Sequence, residues 1–457
     1  MYSDSTPKID VAGDAGGIII NAKNLTIKEG AVISSSTMAG ANEFSGQGGD
    51  IELNIKEQLT IDGINTYGEN EDGFASAVST RSRSEGNNAG DAGKILIQAS
   101  SIELTNGGQI TNSTFGQSRG GDTVIHVDSV NITGDSSTIQ LRDTPGESQL
   151  EFQESFENYI QDASISGIYA RSESPLPEAG EGGEISIFAK QFDMSNSGKI
   201  STSSAGGGKA GNIEVNADQV HLNQHASISS ESESKGVAGD AGIITVIATD
   251  EIQLTNMSDF TTEAINAGGG QMTVNTKNLL YLRDSRITTS VQIGAGDGGD
   301  INIDPKYVSL NQSKIIANAY EGRGGNIHIV ADRFIQSLGS IVDASSKLGI
   351  DGTVEIISPD VDVSSELAVL PDNFLDATQW ASTPCSQRLG EKVSRFVIST
   401  RDGIPSSTGD WLASPPVLLD YRKTTPQISQ VDIFDGFNSG YKLTAFDDCP
   451  CEQTLMQ

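Results

Sequence analysis

The chain has 457 residues, with 29 Lys and Arg against 61 Asp and Glu, a formal net charge of −32. A surface that anionic repels phosphate backbones and acidic lipid, which excludes a general nucleic-acid binder. Apolar residues are 36% of the chain and glycines number 51, together an ordinary globular share that argues against wholesale disorder.

No run of about 18 apolar residues occurs, so no transmembrane helix is expected. Residues Met1–Lys8 lack the basic and apolar regions of a signal peptide. Glycine is enriched, aromatics are only 5%, and Ser, Thr, Asn and Asp crowd between short Ile/Val/Leu runs. That pattern reads as many short strands joined by tight turns.

One phrase recurs: a small or acidic residue, a Gly/Ala pair, then alternating apolar positions. It begins as Gly13-DAGGIIINA and Gly46-QGGDIELNI and persists as Gly180-EGGEISIFA, Gly322-RGGNIHIVA and Gly349-IDGTVEII. There are eleven copies, whose fourth residues are Gly16, Gly49, Gly93, Gly121, Gly183, Gly211, Gly242, Gly270, Gly299, Gly325 and Gly352. Seven of the ten steps between them lie between 26 and 31 residues. Within a copy the apolar period is two, as in Ile213, Val215 and Ala217. A second alternating pair follows (Val220/Leu222, Ile252/Leu254, Val308/Leu310), then a third short run such as Ile200-Ser-Thr or Ile287-Thr-Thr.

Three brief strands cannot bury one apolar face alone; coiling the chain so that equivalent strands stack gives them a shared core. The expectation is an all-β parallel β-helix of about eleven rungs, three short strands each, over residues 1–358, roughly 50 Å long at about 4.8 Å per rung. The glycine step supplies a corner needing positive φ or close backbone approach, so a β-branched residue at Gly183 or Gly299 is expected to strain it. Two long steps imply excursions: a loop around Asn65–Gly90 carrying Arg81 and Arg83, and an insertion at about 142–179. The insertion centres on a helical stripe of Leu150, Phe152, Phe156, Tyr159 and Ile160. Past Pro359 the phrase stops, and residues 359–416 read as an irregular C-terminal cap, followed by an irregular tail at 417–457. Cys385, Cys449 and Cys451 all lie there; they allow one disulfide with a thiol left over, or a weak Cys-x-Cys metal pair.

Chemistry-bearing residues are few. His126 and His328 fall at outward or edge positions of first strands, and His221 and His225 have a helical spacing inside strand-patterned sequence, so all four read as surface histidines. Gly294-Ala-Gly296-Asp-Gly-Gly299 matches a dinucleotide fingerprint on paper, but it precedes a strand where the motif must open a helix, and it reads as a corner. Asp14, Asp91, Asp240, Asp297 and Asp300 sit in glycine-rich corners and form either a solvated acidic edge or weak cation sites; a metal set stays undefined. The first outward position reads Ile19, Glu52, Leu96, Val124, Ser186, Glu214, Thr245, Thr273, Asn302, His328 and Glu355, with no neighbouring carboxylates. The second opens Asn21, Asn54, Gln98, His126, Phe188, a broken amide ladder. No catalytic residue and no cofactor site is assigned, and the expectation is that the chain is not an enzyme.

The Gly-x-Gly-Gly-x-Ile-x-Ile phrase, the Ile-Ser-Thr-Ser pieces, and the segment Gly349-IDGTVEIISPDVDVSSELAVLP, Cys385 and Ser394-RFVISTRDGIPSS resemble cyanobacterial filamentous-haemagglutinin-like exoproteins of the two-partner secretion family over about residues 9–415. The resemblance implies a right-handed helix and an extracellular or outer-cell-surface location. It implies an adhesive or structural role by multivalent contact with glycans or proteins of neighbouring cells, and export through an outer-membrane transporter. Because neither leader nor secretion domain precedes Gly13, the expectation is a C-terminal part of a longer exoprotein. The alternative is a carbohydrate-active β-helix enzyme, a polysaccharide lyase or glycosidase.

Overall fold

A computed structural model describes residues 1, 12–39, 45–65, 75–84, 90–134 and 165–359. Every element among them is a strand, and every strand pairing between successive copies of the phrase is parallel and in register. The chain is a parallel β-solenoid. Eleven first-position strands, from Ile18–Ala22 to Val354–Ile357, stack in chain order. Ten third-position strands, from Val32–Ser34 to Ile341–Asp343, stack beside them. Met1–Asp360 forms one compact unit.

Alternation places the core. Ile20, Leu53, Ile97, Ile125, Ile187, Val215, Val246, Val274, Ile303 and Ile329 form one inward column, and Leu59, Ile102, Val130, Phe192, Val220, Ile252, Leu280 and Val308 another. The third-position column runs Ile33, Val78, Ile110, Ile168, Ile200, Ile228, Phe260, Ile287 and Ile315. Most of these side chains are wholly buried and belong to one continuous cluster, each worth about 1.5–3 kcal/mol of burial.

The glycine step works by close approach and not by positive φ. A Cβ at Gly183 would overlap the carbonyl of Gly121, and one at Gly299 that of Gly270; the same holds from Gly49 to Gly352. None of these fourth glycines has a positive φ. The ten from Gly49 to Gly352 therefore stack on the glycine below with no room for a side chain. A reciprocal clasp closes four of the turns there. The Gly211 amide donates to the Thr202 carbonyl at 2.9 Å, while the Thr202 hydroxyl donates to the Gly211 carbonyl at 2.7 Å. Thr80 with Gly93 and Thr262 with Gly270 repeat the pair. The hydroxyls of Thr80, Thr202, Thr262 and Thr289 are thus tied to the glycine that opens the next turn, those of Ser35 and Ser230 reach back to Gly16 and Gly211, and Ala170, Ala317 and Ala344 hold the glycine amide by their carbonyls alone.

Several boundaries differ from expectation. The first and second strands are one continuous strand in four turns (Ile213–Asn223, Ile244–Thr255, Met272–Arg283, Ile301–Asn311), with bulges after Ala217 and Thr276 that keep the inward faces aligned. A fourth short ladder joins Thr37–Ala39, Ser82–Ser84 and Thr114–Phe115 and continues as single bridges through Ser172, Ser204, Ser232, Ala264 and Val291. Within the 142–179 stretch Gly167–Tyr169 rejoins the rod, paired on both sides in the third-position stack. The Asn65–Gly90 excursion is likewise interrupted by Ala77–Ser79, a full member of that stack, so Arg81 lies on the rod. Residues 66–74, 85–89 and 135–164, with the stripe from Leu150 to Ile160, lie outside the described residues, as do the expected cap at 359–416 beyond Pro359, the tail at 417–457 and all three cysteines.

One turn buries a polar side chain at this position without bonding it. Asn112 occupies the hydroxyl position of the third turn, is fully buried, and neither its Oδ1 nor its Nδ2 has a partner among the described residues. Asn112→Thr restores the bond to the Gly121 carbonyl and removes an unsatisfied amide. It is expected to stabilise the rod by about 1–2 kcal/mol in denaturant unfolding; an unchanged or lower midpoint contradicts the clasp.

Candidate functional site

Two longitudinal grooves follow from the repeat. The first runs along the glycine corners, where absent side chains leave a trough of about 930 Å³ edged by Arg119, Lys209 and Arg323 and by Asp240, Asp297 and Asp300. The corner acids are structural. Asp14 Oδ1 accepts from the Gln47 amide (2.8 Å), Asp91 from Arg119 (2.9 Å), Asp240 from Gly268 (3.0 Å), Asp297 from Arg323 (2.7 Å) and Asp300 from Asn326 (2.8 Å). Each satisfies an amide in the next turn that the corner geometry leaves unpaired. Among the described residues, no three carboxylate, imidazole or thiol groups converge as a metal ligand set.

The second groove lies where the first-position strand bends into the second. It is about 690 Å³ over the first four turns and reopens with about 500 Å³ around Asn275, Lys277 and Lys306. The sequence-derived outward columns fall in the expected register: Asn21, Asn54, Gln98, His126 and Phe188 are successive partners. Asn54 Nδ2 donates to Asn21 Oδ1 at 3.1 Å, one rung of the amide ladder.

The histidines separate in role. His126 stacks on Phe188, with ring centroids 4.8 Å apart and planes 10° from parallel. His328 Nδ1 lies 3.0 Å from Glu355 Oε2. His225 is not in a strand; it occupies a left-handed turn at φ 63°. His221 bridges three turns, its Nδ1 3.0 Å from Asp193 Oδ1 and its Nε2 3.1 Å from Glu251 Oε1. The hydrogen bond to Asp193 raises its pKa, the bond to Glu251 adds to this, and partial burial opposes both. Gly294–Gly299 is a corner leading into Ile301–Asn311, with no helix to receive a phosphate.

Sequence reasoning missed one cluster. The first outward column has no adjacent carboxylates, but the turn after the third-position strand has two: Glu231 and Glu263 sit on consecutive turns, two residues past the paired Ser229 and Thr261. Thr261 Oγ1 donates to Glu231 Oε1 (3.1 Å) and Thr288 Oγ1 to Glu263 Oε1 (2.8 Å). Alongside, Arg286 donates through Nε and Nη2 to Asp259 Oδ2 (3.1 and 2.9 Å). Burial pushes the Glu231 carboxyl up to about 7; Lys199 opposes this, and Glu233 and Glu263 reinforce it. Aligning Ile228-Ser-Ser-Glu231 with Phe260-Thr-Thr-Glu263 exposes the pair in the sequence.

The two titrating groups carry opposite signs. The folded pKa of His221 lies above its unfolded value, so its contribution is complete below about pH 6.5 and fades as pH climbs through the raised value. Glu231 keeps its proton in the folded rod between 4.5 and about 7 while the unfolded chain has lost it, so the rod carries a burial cost above pH 7 of about 3 kcal/mol. In melts against pH, Glu231→Gln is expected to exceed wild type at pH 8 and to converge with it near pH 4. His221→Gln is expected to fall below wild type at pH 6, by roughly 1–3 °C, and to converge in alkali. Parallel curves for either variant contradict the assignment.

Compared with known protein families, curated proteins and solved structures, the chain has no match in any of the three.

Proposed function

We propose that this chain is a haemagglutinin-like adhesive or structural rod, displayed outside the cell or at its outer surface and acting by multivalent contact. The observation that carries the reading is the in-register repetition of outward columns, polar at most turns and broken at positions such as Ile19, Leu96, Val124, Phe188 and Ile247, one side chain per turn. Such a surface offers the same weak contact many times at about 4.8 Å intervals, and linked weak contacts multiply into avidity. The sequence resemblance supports the same assignment and adds an outer-membrane transporter as export partner.

A second reading, a carbohydrate-active enzyme, draws on the Glu231–Glu263 pair. Two carboxylates on one face, one of them protonated near neutrality, suit acid and base roles in glycoside cleavage. The pair has hydroxyl partners that account for it structurally, and the adhesive reading is preferred.

Beads bearing many copies of the full chain are expected to adhere to glycan- or protein-coated surfaces on the order of 100-fold more avidly than the free chain. Equal binding by free and displayed chain, or none at any density, contradicts this reading. Release of new reducing ends or unsaturated products from polysaccharide, lost in Glu231→Gln and Glu263→Gln, establishes the second.

A further inference from the structure

The bend groove over the first four turns combines groups found together nowhere else among the described residues. One wall is the amide column Asn21, Asn54 and Gln98, one per turn. Asn54 spends both amide hydrogens on Asn21 Oδ1 (3.1 Å) and Glu52 Oε1 (2.8 Å), which leaves its own oxygen and the Asn21 NH₂ turned to the groove's contents. Gln98 is exposed, and its amide bonds to nothing among the described residues. Lys23 and Lys56 stand opposite; Lys23 is held by Glu57 at 3.1 Å. Ala22 and Ala99 keep the floor low.

The column ends in His126 and Phe188. The two rings are stacked, with centroids 4.8 Å apart on adjacent turns. The His126 ring lines the groove at the end next to Gln98. From Asn21 to that ring is three rises, about 14 Å.

We propose that this groove binds the end of a neutral oligosaccharide, about three sugar units lying along the rod axis, with the terminal ring against His126. Sugar hydroxyls both donate and accept, and each turn keeps a partner for one: the Asn21 NH₂ donates, the Asn54 oxygen accepts and the Gln98 amide does both. An aromatic face supplies the apolar contact that a sugar ring's C–H face requires. An extended peptide finds no sheet edge here, because the backbone is already paired between turns (Lys56 N to Ala22 O 3.0 Å, Ala99 N to His126 O 3.2 Å). A polyanion meets the field of a chain with net charge −32 and, among the groove's lining residues, one ammonium without a carboxylate partner, that of Lys56.

The assignment rests on the adhesive reading, to which it adds a ligand class and a place. The test titrates the full chain with neutral trisaccharides (cellotriose, laminaritriose, mannotriose) and with a trigalacturonate, followed by saturation-transfer NMR and calorimetry. At least one neutral trisaccharide is expected to bind, with affinity falling tenfold or more in Asn54→Ala/Gln98→Ala and in His126→Ala. Asn275→Ala, in the same column four turns on, is expected to leave it unchanged; all are outward positions whose melting temperature checks folding. No neutral binding, binding that survives the groove variants, or preference for the uronate overturns the proposal. Bead adhesion that persists in the groove variants overturns it while sparing the adhesive reading; bead adhesion absent from wild type removes that reading itself.

Discussion

The turns of this rod are closed by one small device: a glycine amide bonded to the carbonyl of a buried residue that follows the third-position strand or, at Gly242, to its hydroxyl. In six turns that residue's hydroxyl is bonded back to a glycine carbonyl. The device works only where two backbones touch, which is why the fourth glycines from Gly49 to Gly352 lie on one line and admit no Cβ. It also fixes register. Once the corner is pinned, alternation sends Ile, Val and Leu inward at each level, and a slip by one residue would turn every inward side chain to water. The core is thus a consequence of the corner as much as of the apolar pattern.

The same economy explains the acidic corners. A chain of net charge −32 has reason to keep carboxylates apart, yet Asp14, Asp91, Asp240 and Asp297 recur at one position. Each accepts an amide hydrogen from the turn above, which satisfies a backbone donor at the corner. Where charge is left poorly solvated, as at Glu231, the rod holds a proton instead. His221 does the converse, placing an imidazole between two carboxylates of neighbouring turns.

The solenoid was legible because its signals are local and repeated: the glycine pair, period-two alternation, and the Ile-hydroxyl-hydroxyl run each recur at a near-constant interval. The outward columns could be written down from Ile19 to Glu355 and fall in that register. What was not legible lies where the repeat tolerates variety. The turn between the second and third strands uses left-handed Gly30, Gly63, Gly107 and Gly134 in the first four turns but Asn196, Gln224, His225, Asn256 and Asp284 in later ones, so composition does not mark it throughout. The Glu231–Glu263 pair follows runs whose equivalents end in Ser203 and Ser290, so no shared residue announces that the positions coincide. Polar Asp218 suggests a break, yet the backbone passes through it extended with a bulge. The groove chemistry at Asn21, Gln98 and His126 needed the ring geometry as well as the column.

In-order stacking is the claim from which all of this descends, and paired cysteines test it most directly. With Cys385, Cys449 and Cys451 replaced by serine, Thr245→Cys with Thr273→Cys places two outward thiols on adjacent turns, within disulfide reach. Thr245→Cys with Asn302→Cys places them two turns apart, about 9.6 Å and beyond reach. Mild oxidation followed by peptide mass spectrometry is expected to show an intrachain bridge in the first pair and none in the second. Bridging in both, or only in the second, would contradict the stack.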